Sequence, residues 1–121
     1  MNVGIVGSKS RKDYDVVESL IGELPDGTIV VSRGGQKLDD MAVELAKKRG
    51  LGTMEMYPYV PPADTPSWSL KRVNESNIKR FVNNTDVIYA FVDKSEESGV
   101  DDLIKIAERM RVPVEIVEAE E

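Results

Sequence analysis

Small residues, hydroxyls and cations crowd into three short runs of this 121-residue chain, a mixture that suits the binding of an oxyanion. The first run is Gly7-Ser8-Lys9-Ser10-Arg11. Gly7 permits close approach, Ser8 and Ser10 bring hydroxyls, and Lys9 and Arg11 bring charge; Ser10 serves equally well as a helix cap. The second run, Ser32-Arg33-Gly34-Gly35-Gln36-Lys37, is more specific. Paired glycines let backbone amides turn toward an oxyanion, with Arg33 and Lys37 as counter-charge, although a tight turn with solvated cations has the same composition. Asp39 and Asp40 follow, where a helix dipole favours negative charge in any case, and Asp40 is also placed to meet a ligand hydroxyl. The third run is Asp93-Lys94-Ser95-Glu96-Glu97-Ser98-Gly99. Ser98 and Gly99 suit a phosphate or a sugar; alternatively Ser98 caps a helix whose dipole Asp101 and Asp102 complement. Glu96 and Glu97 are the acids placed to act as general bases, with Asp102 as a third carboxylate. Arg72, Asn74 and Asn77 form a fourth group early in a helical segment, facing either the same crevice or solvent.

Composition narrows the chemistry. The chain has no cysteine and no histidine, which removes disulfides, thiol nucleophiles, serine–histidine triads and the usual zinc ligand sets. Catalysis, if any, falls to carboxylates, hydroxyls, Lys or Arg, and no metal or cofactor is expected. The net charge of -6 speaks against general nucleic-acid binding, which rests on Lys and Arg neutralising phosphates. About half of the 16 Lys and Arg residues nevertheless fall in or beside the three loops and the segment before the third helix, an asymmetry that favours an anionic ligand. Part of the acidic surplus sits in Glu115, Glu118, Glu120 and Glu121, a solvated end. No stretch approaches the roughly 18 to 20 apolar residues that span a bilayer, and Val3-Gly4-Ile5-Val6 begins too early for a secretory leader. A cytoplasmic, unanchored protein is expected.

The elements that must position these loops follow from hydrophobic periodicity. Short runs rich in Val and Ile alternate with longer segments at helical spacing, the signature of βαβ units. Val3–Val6, Ile29–Val31, Met54–Tyr57, Val87–Val92 and Val112–Val117 read as strands. Helical stripes are formed by Val16, Val17, Leu20, Ile21 and Leu24; by Leu38, Met41, Ala42, Leu45 and Ala46; by Leu70, Val73, Ile78, Phe81 and Val82; and by Val100–Met110. Gly50 is expected to close the second helix in the left-handed conformation. Pro58, Pro61, Pro62 and Pro66 make Tyr59–Ser67 a loop, either a lid, a ligand wall or a plain connection, with Trp68 at its end. The length suits one domain over residues 1–121. Right-handed crossovers then give an α/β, Rossmann-like, five-stranded parallel sheet in the order 3-2-1-4-5 with helices on both faces. Strand order reverses beside the first strand, so a ligand is expected there, at the carboxyl ends.

With those pieces placed, the chain resembles the SLOG superfamily, and within it the small DUF2493-type proteins akin to the DNA-processing protein DprA and to LOG-type, lysine-decarboxylase-like phosphoribohydrolases. The resemblance spans nearly the whole chain. It rests on Val3-Gly4-Ile5-Val6-Gly7-Ser8, on Val31-Ser32-Arg33-Gly34-Gly35 followed by Asp40 and Ala42, on Asp86-Val87-Ile88-Tyr89-Ala90-Phe91, and on Ser98-Gly99-Val100. It implies a Rossmann-like sheet that senses or processes nucleotide-derived ligands, the glycine loop and the Ser98-Gly99 turn holding phosphate and sugar. The phosphoribohydrolases carry a PGGxGT loop followed by a catalytic glutamate; here that stretch is Lys94–Val100, followed by Asp101, Asp102 and Leu103.

Three functions are therefore weighed. The first is a sensor or carrier that binds a nucleotide-derived phosphorylated small molecule at the carboxyl ends of the strands. The second is an N-glycosidase or phosphoribohydrolase acting on a nucleoside monophosphate, with Arg33 or Arg72 on phosphate and Glu96, Glu97 or Asp102 at the reacting centre. The third, disfavoured by charge, is single-strand DNA binding like that of DprA. Apolar helix faces in such small sheets often pair, so a homodimer is a further expectation.

Overall fold

The computed structural model describes residues 1–7, 14–33, 37–92 and 100–118. The chain alternates strand and helix throughout: β1 (Asn2–Gly7), α1 (Tyr14–Glu23), β2 (Ile29–Ser32), α2 (Lys37–Arg49), β3 (Gly52–Glu55), α3 (Ser67–Asn83), β4 (Val87–Val92), α4 (Val100–Arg109) and β5 (Val114–Glu118). All strand pairs are parallel and the order is β3-β2-β1-β4-β5, as the crossover argument requires.

Strict alternation along the central strands feeds two cores. Val3 and Ile5 of β1, Val30 of β2 and Phe91 of β4 point to one face, where they meet Val17 and Ile21 of α1 and Leu38, Ala42 and Ala46 of α2. Val6, Val31, Ile88 and Ala90 point to the other, against Ile78, Phe81 and Val82 of α3 and Leu103, Ile106 and Ala107 of α4. Two covered faces explain why these strands read as continuous apolar runs. Gly50 closes α2 at φ 83, in the left-handed conformation expected of it. Among the described residues no helix is long and apolar enough to cross a membrane.

Three boundaries differ from the sequence reading. β3 lies at Gly52–Glu55 rather than Met54–Tyr57. It is an edge strand, exposed or half-buried along its length, so its register comes from main-chain pairing with β2 (Ile29 opposite Gly52, Ser32 opposite Glu55) and not from its apolar residues. β5 starts at Val114 rather than Val112, because Arg111 takes φ 61 to turn the chain out of α4 and Pro113, which has no N–H to give, precedes the ladder. Trp68 stands in the first turn of α3 rather than at the end of a loop, since the Pro66 carbonyl accepts hydrogen bonds from the N–H groups of Ser69 and Leu70, each at 3.0 Å.

β1 is held close to its helical cover at Gly4. A Cβ there would sit 2.8 Å from Thr85 Cγ2 and 3.0 Å from the Phe81 ring. Gly4→Ala is therefore expected to destabilise the fold by about 1–3 kcal/mol through overpacking, read by urea denaturation. Adding Thr85→Ser, which removes the crowding methyl and keeps the hydroxyl that bonds to the Val82 carbonyl, should recover part of that loss.

Candidate functional site

The carboxyl edge of the sheet is stepped. β1 continues to Gly7, opposite Phe91 of β4, whereas β2 stops at Ser32, opposite Ile5. The chain leaves β2 through Arg33 and returns as α2, whose Leu38 packs on Gly7 so tightly that a Cβ on the glycine would lie 2.9 Å from Leu38 Cδ2. Gly7 is thus required by helix–strand approach, a role that coexists with ligand contact. Ser32 is fully buried, and its alternation with Val31 directs it to the face covered by α2.

Asp39 is the unusual group. It is 2% exposed, and among the described residues its Oδ1 has no hydrogen-bond partner. Burial raises its pKa from 3.8 to about 7; the positive charge of Arg33 opposes that shift and Asp40 adds to it. Arg33, half-buried beside it, has its own pKa lowered by burial, an effect the Asp39 charge resists. An arginine nevertheless keeps its proton. Near neutral pH the pair therefore offers a cation and a carboxyl that exists partly as a neutral O–H donor, next to the N-terminal end of a helix. Such a place accepts negative charge.

In the sequence Asp39 reads as a first-turn carboxylate favoured by the helix dipole, and that explanation hides its burial. The available signal was its position: residues 39, 42, 43 and 46 lie on one side of α2, and Ala42, Val43 and Ala46 are all buried. Asp40, the residue singled out instead, is exposed, and its charge acts on Asp39 and on Tyr57, two residues beyond β3.

The remaining candidates are distributed as follows. Ser8, Lys9, Arg11, Gly34, Gly35, Gln36, Glu96, Glu97, Ser98 and Gly99 lie outside the described residues. Arg72 and Asn74 are not brought together. Arg72 lines a groove of about 330 Å³ with Tyr59, Ser69, Ser76, Asn77 and Arg80. Asn74 lines a different groove, between α3 and α4, together with Asp102, Lys71, Glu75, Lys105 and Arg109. Two residues two positions apart on a helix face nearly opposite ways, so one crevice does not hold both. Neither groove is lined by Arg33 or Asp39.

The proline-rich segment is fastened where it leaves β3. Asn77 accepts from the Tyr59 N–H through Oδ1 and donates to the Tyr59 carbonyl through Nδ2, both at 3.0 Å, in the manner of a strand neighbour. Arg80 Nη2 donates to the Tyr57 carbonyl at 2.8 Å. At residues 57–59 the segment is a wall tied to α3.

The raised pKa of Asp39 gives stability a definite pH dependence. Between about pH 4 and pH 7 the folded protein retains a proton that the unfolded chain has released, so this group lowers stability as pH rises through that window and adds no further slope above it. Asp39→Asn removes the effect. The variant's stability relative to the native protein should climb by on the order of 1 kcal/mol per pH unit between pH 4 and 7 and level off beyond, as read by urea denaturation at each pH. Parallel curves would contradict the burial of an ionisable Asp39.

No protein-family model matches the chain, and no curated protein matches it. Among solved structures, DNA processing protein A (DprA) from Streptococcus pneumoniae is similar over 96% of this chain at 14% identity, with a TM-score of 0.58. This chain spans 58% of the length of that one. The C-terminal domain of a hydrogenase from Pyrococcus furiosus aligns over 95% of this chain and 89% of its own, at 11% identity and a TM-score of 0.47. The likeness to DprA is one of fold: the chain has a DprA-like, Rossmann-type architecture.

Proposed function

We propose that the protein binds a phosphorylated small molecule derived from a nucleotide at the carboxyl ends of β1 and β2, as a sensor or carrier. The observation that carries this reading is Asp39: a buried carboxyl, its pKa near 7, beside Arg33 at the start of α2 and directly after the helical residue that packs on Gly7. Arg33 supplies a forked cation for phosphate oxygens, and neutral Asp39 supplies an O–H donor that an ionised carboxylate lacks. Gly34-Gly35-Gln36, the hydroxyls and cations of 8–11, and Ser98-Gly99 are the natural completion of the site on sequence grounds.

Base-releasing hydrolysis is the second reading, and its assigned acids divide. Glu96 and Glu97 remain proposals from sequence, while Asp102 is exposed in the groove between α3 and α4, with Lys71, Lys105 and Arg109 around it. Single-strand DNA binding is open as well. The overall charge of -6 does not decide it, because α3 alone carries Lys71, Arg72, Lys79 and Arg80 against Glu75.

One experiment separates these readings. The protein is incubated with a panel of nucleotides and nucleoside phosphates, with thermal shift and released base recorded together. Stabilisation by a phosphorylated ligand recovered intact is expected, weakened at least tenfold in affinity by Arg33→Gln. Affinity should also fall as pH rises through 7 in the native protein, beyond the ligand's own titration, and lose that component in Asp39→Asn. Stabilisation unaffected by either substitution would reject the site; release of free base would replace the sensor reading with the hydrolytic one.

A further inference from the structure

The groove between the 57–59 segment and α3 shares no residue with the proposed strand-end site. Its charged lining is all positive. Arg72 and Arg80 are joined by Tyr59, Ser69 and Ser76, and among the described residues no carboxylate lines it. The neighbouring groove between α3 and α4 shows the contrast: Lys71, Lys105 and Arg109 there share the space with Glu75 and Asp102, which answer their charge. Arg80 spends one Nη2–H on the Tyr57 carbonyl, and a guanidinium carries five donors. Asn77, which holds both polar groups of Tyr59, fixes that wall before any ligand arrives, so little ordering is needed on binding.

Flat apolar surface adjoins this cationic lining. Tyr59 is 59% exposed, and Trp68, one turn before Arg72 on α3, is 67% exposed with the Arg72 guanidinium 5.8 Å from its ring centroid. A tryptophan this exposed is unusual in a lone domain, and here it stands beside a second exposed aromatic and a stacked guanidinium. The volume of about 330 Å³ fits a small molecule and is modest for a folded segment of protein.

We infer that the Tyr59–Arg72–Arg80 groove binds a small dianion carried on a flat ring, such as the phosphate monoester of an aromatic or heteroaromatic group, with the anion on Arg72, the ring against Tyr59, and Arg80 adding positive charge farther along α3. The inference does not rest on the strand-end site. Arg72, placed by sequence in that site, belongs to this one.

Trp68 is the only tryptophan in the chain, and the Arg72 guanidinium lies over its ring, so its emission responds to an anion bound at Arg72. The test is a titration with phenyl phosphate, with inorganic phosphate and phenol as controls, following Trp68 fluorescence and the ³¹P linewidth. Saturable changes in both signals are expected with phenyl phosphate, weaker binding with inorganic phosphate, and none with phenol. Arg72→Gln, an exposed substitution whose folding is checked by circular dichroism, should weaken binding at least tenfold by ³¹P, while Lys105→Gln, in the neighbouring α3–α4 groove, leaves it unchanged. The absence of saturable change in either signal, or affinity equal in the native protein and Arg72→Gln, would overturn the proposal. Loss of phenyl phosphate binding in Arg33→Gln would also overturn it, by moving the ligand to the strand-end site. Failure of nucleotides at the strand ends leaves these outcomes unaffected, so the two proposals fail separately.

Discussion

Parallel pairing of β1 with both β2 and β4 is the constraint from which the rest follows. A strand with parallel neighbours on each side obliges every connection to cross over, and the crossovers here place α1 and α2 on one face and α3 and α4 on the other. All carboxyl ends then fall on one edge. Because the chain moves outward to β2 and β3 before returning to β4 and β5, the strand order reverses beside β1. The step between Gly7 and Ser32 and the packing of Leu38 on Gly7 shape that carboxyl edge on the α2 side.

The same packing accounts for the electrostatics. Drawing the first turn of α2 down onto β1 carries Asp39 from the exposed position usual for such a residue into the interior, next to a half-buried Arg33. A buried ion pair is a poor source of stability, since desolvation of both charges offsets their attraction. The protein meets that cost in part by letting Asp39 hold its proton up to about pH 7. In the function proposed, what is unfavourable for stability would serve recognition: a cation and a carboxylic O–H, pre-positioned side by side, are complementary to a phosphate oxygen.

Much of this was legible from sequence, for physical reasons that can be named. Doubly covered strands write themselves as apolar runs, and amphipathic helices as 3.6-residue stripes, so the element order and sheet topology followed. β3 was misplaced by two residues because an edge strand has only one ladder and no buried face to mark its register. Asp39 reads in the sequence as a dipole-favoured acid of a first turn, although its alignment with Ala42, Val43 and Ala46 marks the buried face. The separation of Arg72 from Asn74 was implicit in a two-residue helical spacing. The clasp between Asn77 and the Tyr59 backbone was not legible at all, since it joins a side chain to main-chain groups 18 residues away.

The central claim is that Asp39 is a buried carboxyl held near neutrality at the strand-end site, and its titration can be observed directly. The most telling measurement follows the carboxyl ¹³C resonance of Asp39, assigned through Asp39→Asn, from pH 3 to pH 9. A midpoint near 7 is the outcome this account requires. A midpoint at the ordinary 3.8 would show a solvated or fully ion-paired carboxylate and would contradict it.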